Sequence, residues 1–168
     1  SRAVLETLRE NSTVFGAVDN DGARLILMEL SCAYRRTYID AASEIIPQPA
    51  NSGVADFGGR VVVAVPGEFC LSCASEIDTE TAKKELDSHE LRQSRVAHGY
   101  GLGPALPTPA VVSLNGVLAN LAVTEFMVFV TGLRAPFVKL TYRGMRGTVL
   151  VSTDRKRSGC FNCEYLFG

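Results

Sequence analysis

The chain has 168 residues, 46% of them hydrophobic and 21% charged, enough for one domain (1–168) with a full core. With 17 Lys and Arg against 18 Asp and Glu, the net charge is −1, which argues against nucleic acid or an anionic membrane as partner. The one basic cluster, Asp154 to Gly159 ("DRKRSG"), reads as a solvated turn.

Ser1 to Glu10 reads as a charged amphipathic helix with Val4, Leu5 and Leu8 on one side. It lacks the apolar core of a signal peptide, and a cytoplasmic protein is expected. "STVFGAV" is a short apolar run predicting a buried strand, and "DGARLILMELSCAYRR" predicts a helix with Leu25, Met28 and Cys32 on one face. "TYIDAAS" predicts a second short strand, so the unit reads as strand–helix–strand and suggests a parallel, doubly wound α/β sheet. "EIIPQPANSGVADFGG" is expected to be a loop, and "RVVVAVPG" the clearest strand.

Residues 74–109 read as a long polar connection with a weak helical piece around "TETAKKELDSHEL"; loops of that length are usually lids or binding loops. Ala110 to Leu133 is long enough to span a bilayer, but Ser113, Asn115, Asn120, Thr124 and Glu125 interrupt it. A buried core helix is expected there, followed by two strands, "FVKLTYR" and "GTVLVSTD", and a cysteine-bearing tail.

Four of the five cysteines form two pairs, Cys70 and Cys73 in "CLSC" and Cys160 and Cys163 in "CFNC". Each pair sits by a turn-forming glycine, and together they supply four thiolates for a tetrahedral structural zinc. A redox use of either CxxC is the weaker alternative, and Cys32 is expected to be a buried core thiol. His89 and His98 are expected to be surface loop residues.

Asp19 falls at the C-terminal end of the first strand, where open α/β sheets bind ligands, and a carboxylate there can hold Mg²⁺ beside substrate phosphates. Asp21 is placed to cap the following helix or to sit in its first turn. On this local pattern, a cap alone and a metal–nucleotide site are equally supported.

"DNDGAR" ahead of a helix resembles the D-N-x-x-x-R element of the ThiF/MoeB/HesA family, bacterial relatives of ubiquitin-activating enzymes. The resemblance continues in order through "YIDAAS", "GGRVVVAVPGEFCLSC", "PTPAVVSLNGVLANLAVTEFMVFVTG" and "GCFNC", covering nearly the whole chain. It implies the C-terminal half of that family's doubly wound, Rossmann-like mixed sheet with a four-cysteine zinc site.

The activity implied is ATP- and Mg²⁺-dependent adenylation of the C-terminal glycine carboxylate of a ubiquitin-like or sulfur-carrier protein ending in Gly-Gly. In that likeness Asp19, with Asn20 and Arg24, binds nucleotide and Mg²⁺, although Arg24 could equally make a structural ion pair, and residues 74–109 match the crossover loop over the partner's tail. The family's glycine-rich ATP loop belongs to its first half, so these residues alone are expected to be inactive. Between Cys73 and Cys160 there is no cysteine, which favours adenylation without a thioester in this segment. Self-association through the long apolar helix, or through the face that the family's first half would cover, is expected. The rival reading, of a different class, is a non-catalytic zinc-stapled module for protein binding or dimerisation.

Overall fold

The computed structural model describes residues 2–48, 53–87 and 111–167. Within them the order is α1 (Arg2–Glu10), β1 (Thr13–Gly16), α2 (Asp21–Ala33), β2 (Thr37–Pro47), β3 (Val54–Ala64), α3 (Thr79–Leu86), α4 (Val112–Thr131), β4 (Lys139–Arg143) and β5 (Thr148–Val151). A 3₁₀ turn, Gly144–Arg146, joins β4 to β5, and a π-helical turn covers Phe161–Tyr165. His89, His98 and residues 88–109 of the expected crossover loop lie outside the described residues.

One five-stranded sheet runs β1-β2-β3-β4-β5. Only β1 and β2 are parallel, joined by α2 as a crossover; the remaining pairs are antiparallel. The parallel pairing suggested by strand–helix–strand is confined to one edge, and the sheet is mixed, as the family resemblance implies. Alternation along the strands then creates two cores. Tyr38, Val62 and Ala64 pack with Met28 and Cys32 of α2, whereas Ile39, Val61, Val63 and Leu140 pack with Leu118 and Ala122 of α4. Helices cover both faces, as a doubly wound fold requires.

The described residues of 44–59 are mostly strand, not the expected loop. β2 continues to Pro47 and pairs with β3 from Val54 onward, with a register shift at Ile46/Pro47. The proline sits at that irregularity, where a missing N–H costs least. Gly58 and Gly59 are needed inside β3 for close approach, since a Cβ would lie 2.0 Å from the Tyr142 carbonyl oxygen and 2.2 Å from that of Ala42.

Helix α4 is long and apolar enough to cross a membrane by length and composition, yet it lies on the sheet. It is not wholly buried as expected. Leu114, Leu118, Ala122 and Glu125 face inward, while Val123, Met127 and Val130 remain about half exposed. The buried acid is not orphaned: Arg134 donates to Glu125 through Nη2 at 2.7 Å and Nη1 at 3.0 Å, and the Phe137 N–H adds a third bond at 2.9 Å. At the far edge of the sheet, β5 leaves Val149, Leu150 and Val151 exposed.

Candidate functional site

Strand β1 ends at Gly16 and α2 begins at Asp21, so Ala17–Asn20 form the turn at the sheet's C-terminal edge. Asn20, not Asp21, is the N-cap: its side-chain oxygen accepts from the Ala23 N–H at 2.7 Å. Both residue types cap well, but only Asn20 has the extended backbone (φ −136°, ψ 152°) that aims its side chain back at the helix. Its amide nitrogen then donates to Asp19 Oδ1 at 3.2 Å, so one side chain fixes both the helix start and the carboxylate before it.

Asp21 sits in the first turn of α2, pairing with Arg24 and accepting from the Asp78 N–H at 3.2 Å. In return Glu85 of α3 accepts from the Gly22 N–H at 2.7 Å. These exchanges seat α3 against the start of α2, each helix supplying an anion to the other's unpaired N–H groups.

Asp19, Asn20 and Arg24 all line one cleft of about 1040 Å³, together with residues of β2, Glu85 of α3, and Asn115 and Ala119 of α4. Asp19 is exposed there, but Arg24 is only 8% exposed and its guanidinium is taken up internally. Nη1 pairs with Asp21, Nη2 donates to the Val18 carbonyl at 2.9 Å, and Nε lies 3.3 Å from Asp40 Oδ2 as an ion pair without hydrogen-bond alignment. Arg24 thus holds the turn that carries Asp19.

Behind it lies a buried charge network that the sequence reading missed. Asp40 on β2 has no exposed surface; it accepts from Tyr38 Oη at 2.8 Å and from Arg60 Nη1 at 2.5 Å. Arg60 also pairs with Glu76, which meets Lys139 at 2.5 Å. Burial, the Asp40 charge and its hydrogen bond push the Tyr38 hydroxyl well above the usual phenol range, so it is a donor at neutral pH. The available signal was charge in apolar strands: Asp40 interrupts "YIDA" and Arg60 opens "RVVV".

The fold brings the two knuckles together across the long gap between them. Cys70 Sγ is 3.7 Å from Cys73 Sγ and 3.5 Å from Cys160 Sγ, Cys73 Sγ is 3.8 Å from Cys163 Sγ, and all four lie within 4.8 Å of one another. A tetrahedron with metal–sulfur bonds of about 2.3 Å has edges of about 3.8 Å. Four sulfurs at these separations can therefore hold one metal ion.

Tight turns present them: Gly67 and Gly159 have φ of 83° and 72°, and the Arg157 N–H points at Cys73 Sγ at 3.4 Å. Burial pushes the Cys70 thiol up to about 12, and the Cys163 thiol is raised as well. A cation reverses that balance by stabilising the thiolates. Cys32, 2% exposed, packs beside this cluster as the expected core thiol.

No protein-family model matches the sequence, and no curated protein matches it. Solved structures do. E. coli MccB superposes with a TM-score of 0.59 at 14% identity, over 97% of this chain and 42% of that one. The chain shares the fold of MccB. MccB with ATP gives 0.58 at 15% identity over 97% and 43%, and MccB with AMPCPP and selenomethionine MccA gives 0.58 at 11% identity over 95% and 42%. At such identities the likeness to MccB is one of fold, and the chain spans about two fifths of MccB's length.

Proposed function

We propose that residues 1–168 are the C-terminal part of an adenylation domain, with 74–109 as its crossover loop, in a cytoplasmic ATP- and Mg²⁺-dependent enzyme of the ThiF/MoeB/HesA kind. Its substrate is the C-terminal carboxylate of a small ubiquitin-like or sulfur-carrier protein ending in Gly-Gly. The observation that carries this reading is Asp19: an exposed carboxylate in the turn between β1 and α2, oriented by Asn20, on the wall of a nucleotide-sized cleft. The fold likeness to MccB, solved with ATP and with MccA, supports it.

An exposed carboxylate held by an amide fits a hard divalent cation, which takes one or two carboxylates together with substrate phosphates. Asp19 would hold Mg²⁺ with the phosphates, and bound Mg²⁺ would supply charge neutralisation as a carboxylate attacks the α-phosphate. Asn20 orients Asp19 and caps α2, and Arg24 fixes the Val18 carbonyl one residue before it. The four cysteines fit Zn²⁺ as a structural ion, since a closed S₄ tetrahedron leaves no position for substrate. Residues 1–168 alone are inactive in this reading and need the family's glycine-rich ATP loop.

The test is carrier-dependent ATP–pyrophosphate exchange by the complete gene product, with a Gly-Gly-tailed carrier and a short C-terminal peptide as separate substrates. Asp19→Ala should abolish exchange without lowering Tm, because the side chain is exposed. Exchange at the parent rate in that variant would reduce Asp19 to a turn residue. The half-exposed apolar side of α4 favours a second feature, a homo-oligomer. A zinc-loaded oligomer with no exchange on either substrate would return the protein to a non-catalytic binding or dimerisation module.

A further inference from the structure

We infer that Asp40 is a positioning residue for the nucleotide–metal site, holding the turn that presents Asp19. The inference rests on the adenylation reading above. Asp40 is fully buried, lies outside the cleft lining, and reaches the β1–α2 turn by two separate routes.

The first route is Arg24. Its Nε faces Asp40 Oδ2 at 3.3 Å while its Nη2 holds the Val18 carbonyl at 2.9 Å, so the Asp40 charge sets where the guanidinium sits and where the backbone before Asp19 is held. The second is Tyr38, whose hydroxyl donates to Asp40 Oδ1 at 2.8 Å. That hydroxyl lies against Gly16, where a Cβ would come within 2.0 Å of it, so the end of β1 rests directly on the phenol. Asp40 therefore fixes the turn at Gly16 and at Val18, on either side of Ala17.

A buried carboxylate between two arginines adds little net stability compared with apolar packing, because desolvating the charges offsets most of their attraction. What it does supply is fixed geometry for its partners. Arg60 anchors the other side, through its own pair with Glu76 on the segment after the first knuckle. The carboxylate is thus held against the sheet on one flank and holds the turn on the other.

The experiment measures Mn²⁺ binding by electron paramagnetic resonance in the presence of AMPCPP, on the complete gene product. Asp40→Asn keeps the shape and removes the charge. It should weaken Mn²⁺–AMPCPP binding about tenfold, the usual scale for a residue that orients a metal ligand. It should have no further effect in an Asp19→Asn background, because Asp40 acts only through Asp19. Binding equal to the parent in Asp40→Asn, or an equal tenfold loss in both backgrounds, would overturn the inference.

Should Asp40→Asn fail to fold, Tyr38→Phe keeps both ion pairs and removes only the second route. It should produce part of that tenfold weakening, again only when Asp19 is intact; parent-like binding there would also overturn the inference. If the parent protein binds no Mn²⁺–AMPCPP, or Asp19→Asn binds it as the parent does, the adenylation reading fails first and this one falls with it.

Discussion

If the four-cysteine centre binds zinc as proposed, stripping the metal should loosen the C-terminal tail, and the size of the effect follows from chain connectivity. A metal held there would tie Cys70 to Cys160 across 90 residues. Cross-linking a loop of that length removes about 4–5 kcal/mol of conformational entropy from the unfolded chain. Against a typical net stability of about 5–15 kcal/mol this is a large share. It corresponds to a fall in Tm of about 10–20 °C for a protein of this size.

The same geometry predicts a proton count. Burial raises the Cys70 and Cys163 thiols above their ordinary range, so both are protonated at pH 7.5 without metal and must release their protons to bind it. At least two protons should leave per Zn²⁺. Apparent affinity should then fall about a hundredfold for each pH unit lowered and rise as pH rises. Metal analysis of the reduced protein, melting with and without a strong chelator, and calorimetry in buffers of differing ionisation enthalpy measure all three. A metal-free protein with four reduced thiols and an unchanged Tm would refute the reasoning, as would release of fewer than two protons.

Other outcomes can be set beside it. Asn20→Asp should keep the α2 cap, and with it Tm, but replace the amide that orients Asp19 with a second negative charge; exchange should fall at least tenfold with stability held within about 0.5 kcal/mol. Leu118→Ala opens a void between α4 and the sheet and should cost about 2–5 kcal/mol by urea denaturation. Glu125→Ala removes three hydrogen bonds but leaves Arg134 partly solvated, so a loss of about 1–3 kcal/mol is expected, below that for a fully buried pair. Met127→Glu together with Val130→Glu should shift an oligomer toward monomer in light scattering without lowering Tm, because both side chains are about half exposed.

The parts legible from sequence were those with local causes. Leu25, Met28 and Cys32 fall on one face because α2 obeys its own period, and the CxxC spacing works because a tight turn needs no help from distant residues. Asp19 was expected at the end of the first strand and lies three residues past Gly16, in the turn to α2. The β2–β3 hairpin was not, since Pro47 and a run of glycines look like loop until the bulge and the neighbouring strands supply a reason for them.

The network of Asp40, Arg60, Glu76 and Lys139 was invisible for a related reason. Each charge has its partner on another element, from 16 residues (Arg60 to Glu76) to 20 residues (Asp40 to Arg60) away or further, and no local pattern encodes such a pairing. Capping by Asn20 in place of Asp21 turned on backbone angles that neighbouring polar residues share the chemistry to satisfy.

The wide separation of the two knuckles also orders events during synthesis. At about 5–20 residues per second, roughly 5–20 s separates the appearance of Cys73 from that of Cys160. Through that interval the nascent chain carries a half-built pair of thiols, open to oxidation or to a wrong metal, while the β2–β3 hairpin beneath it is already complete in sequence. A metal bound by all four cysteines would then be captured only at the end of folding, and a chain released with Cys70 and Cys73 oxidised to each other would be unable to bind it through four thiolates.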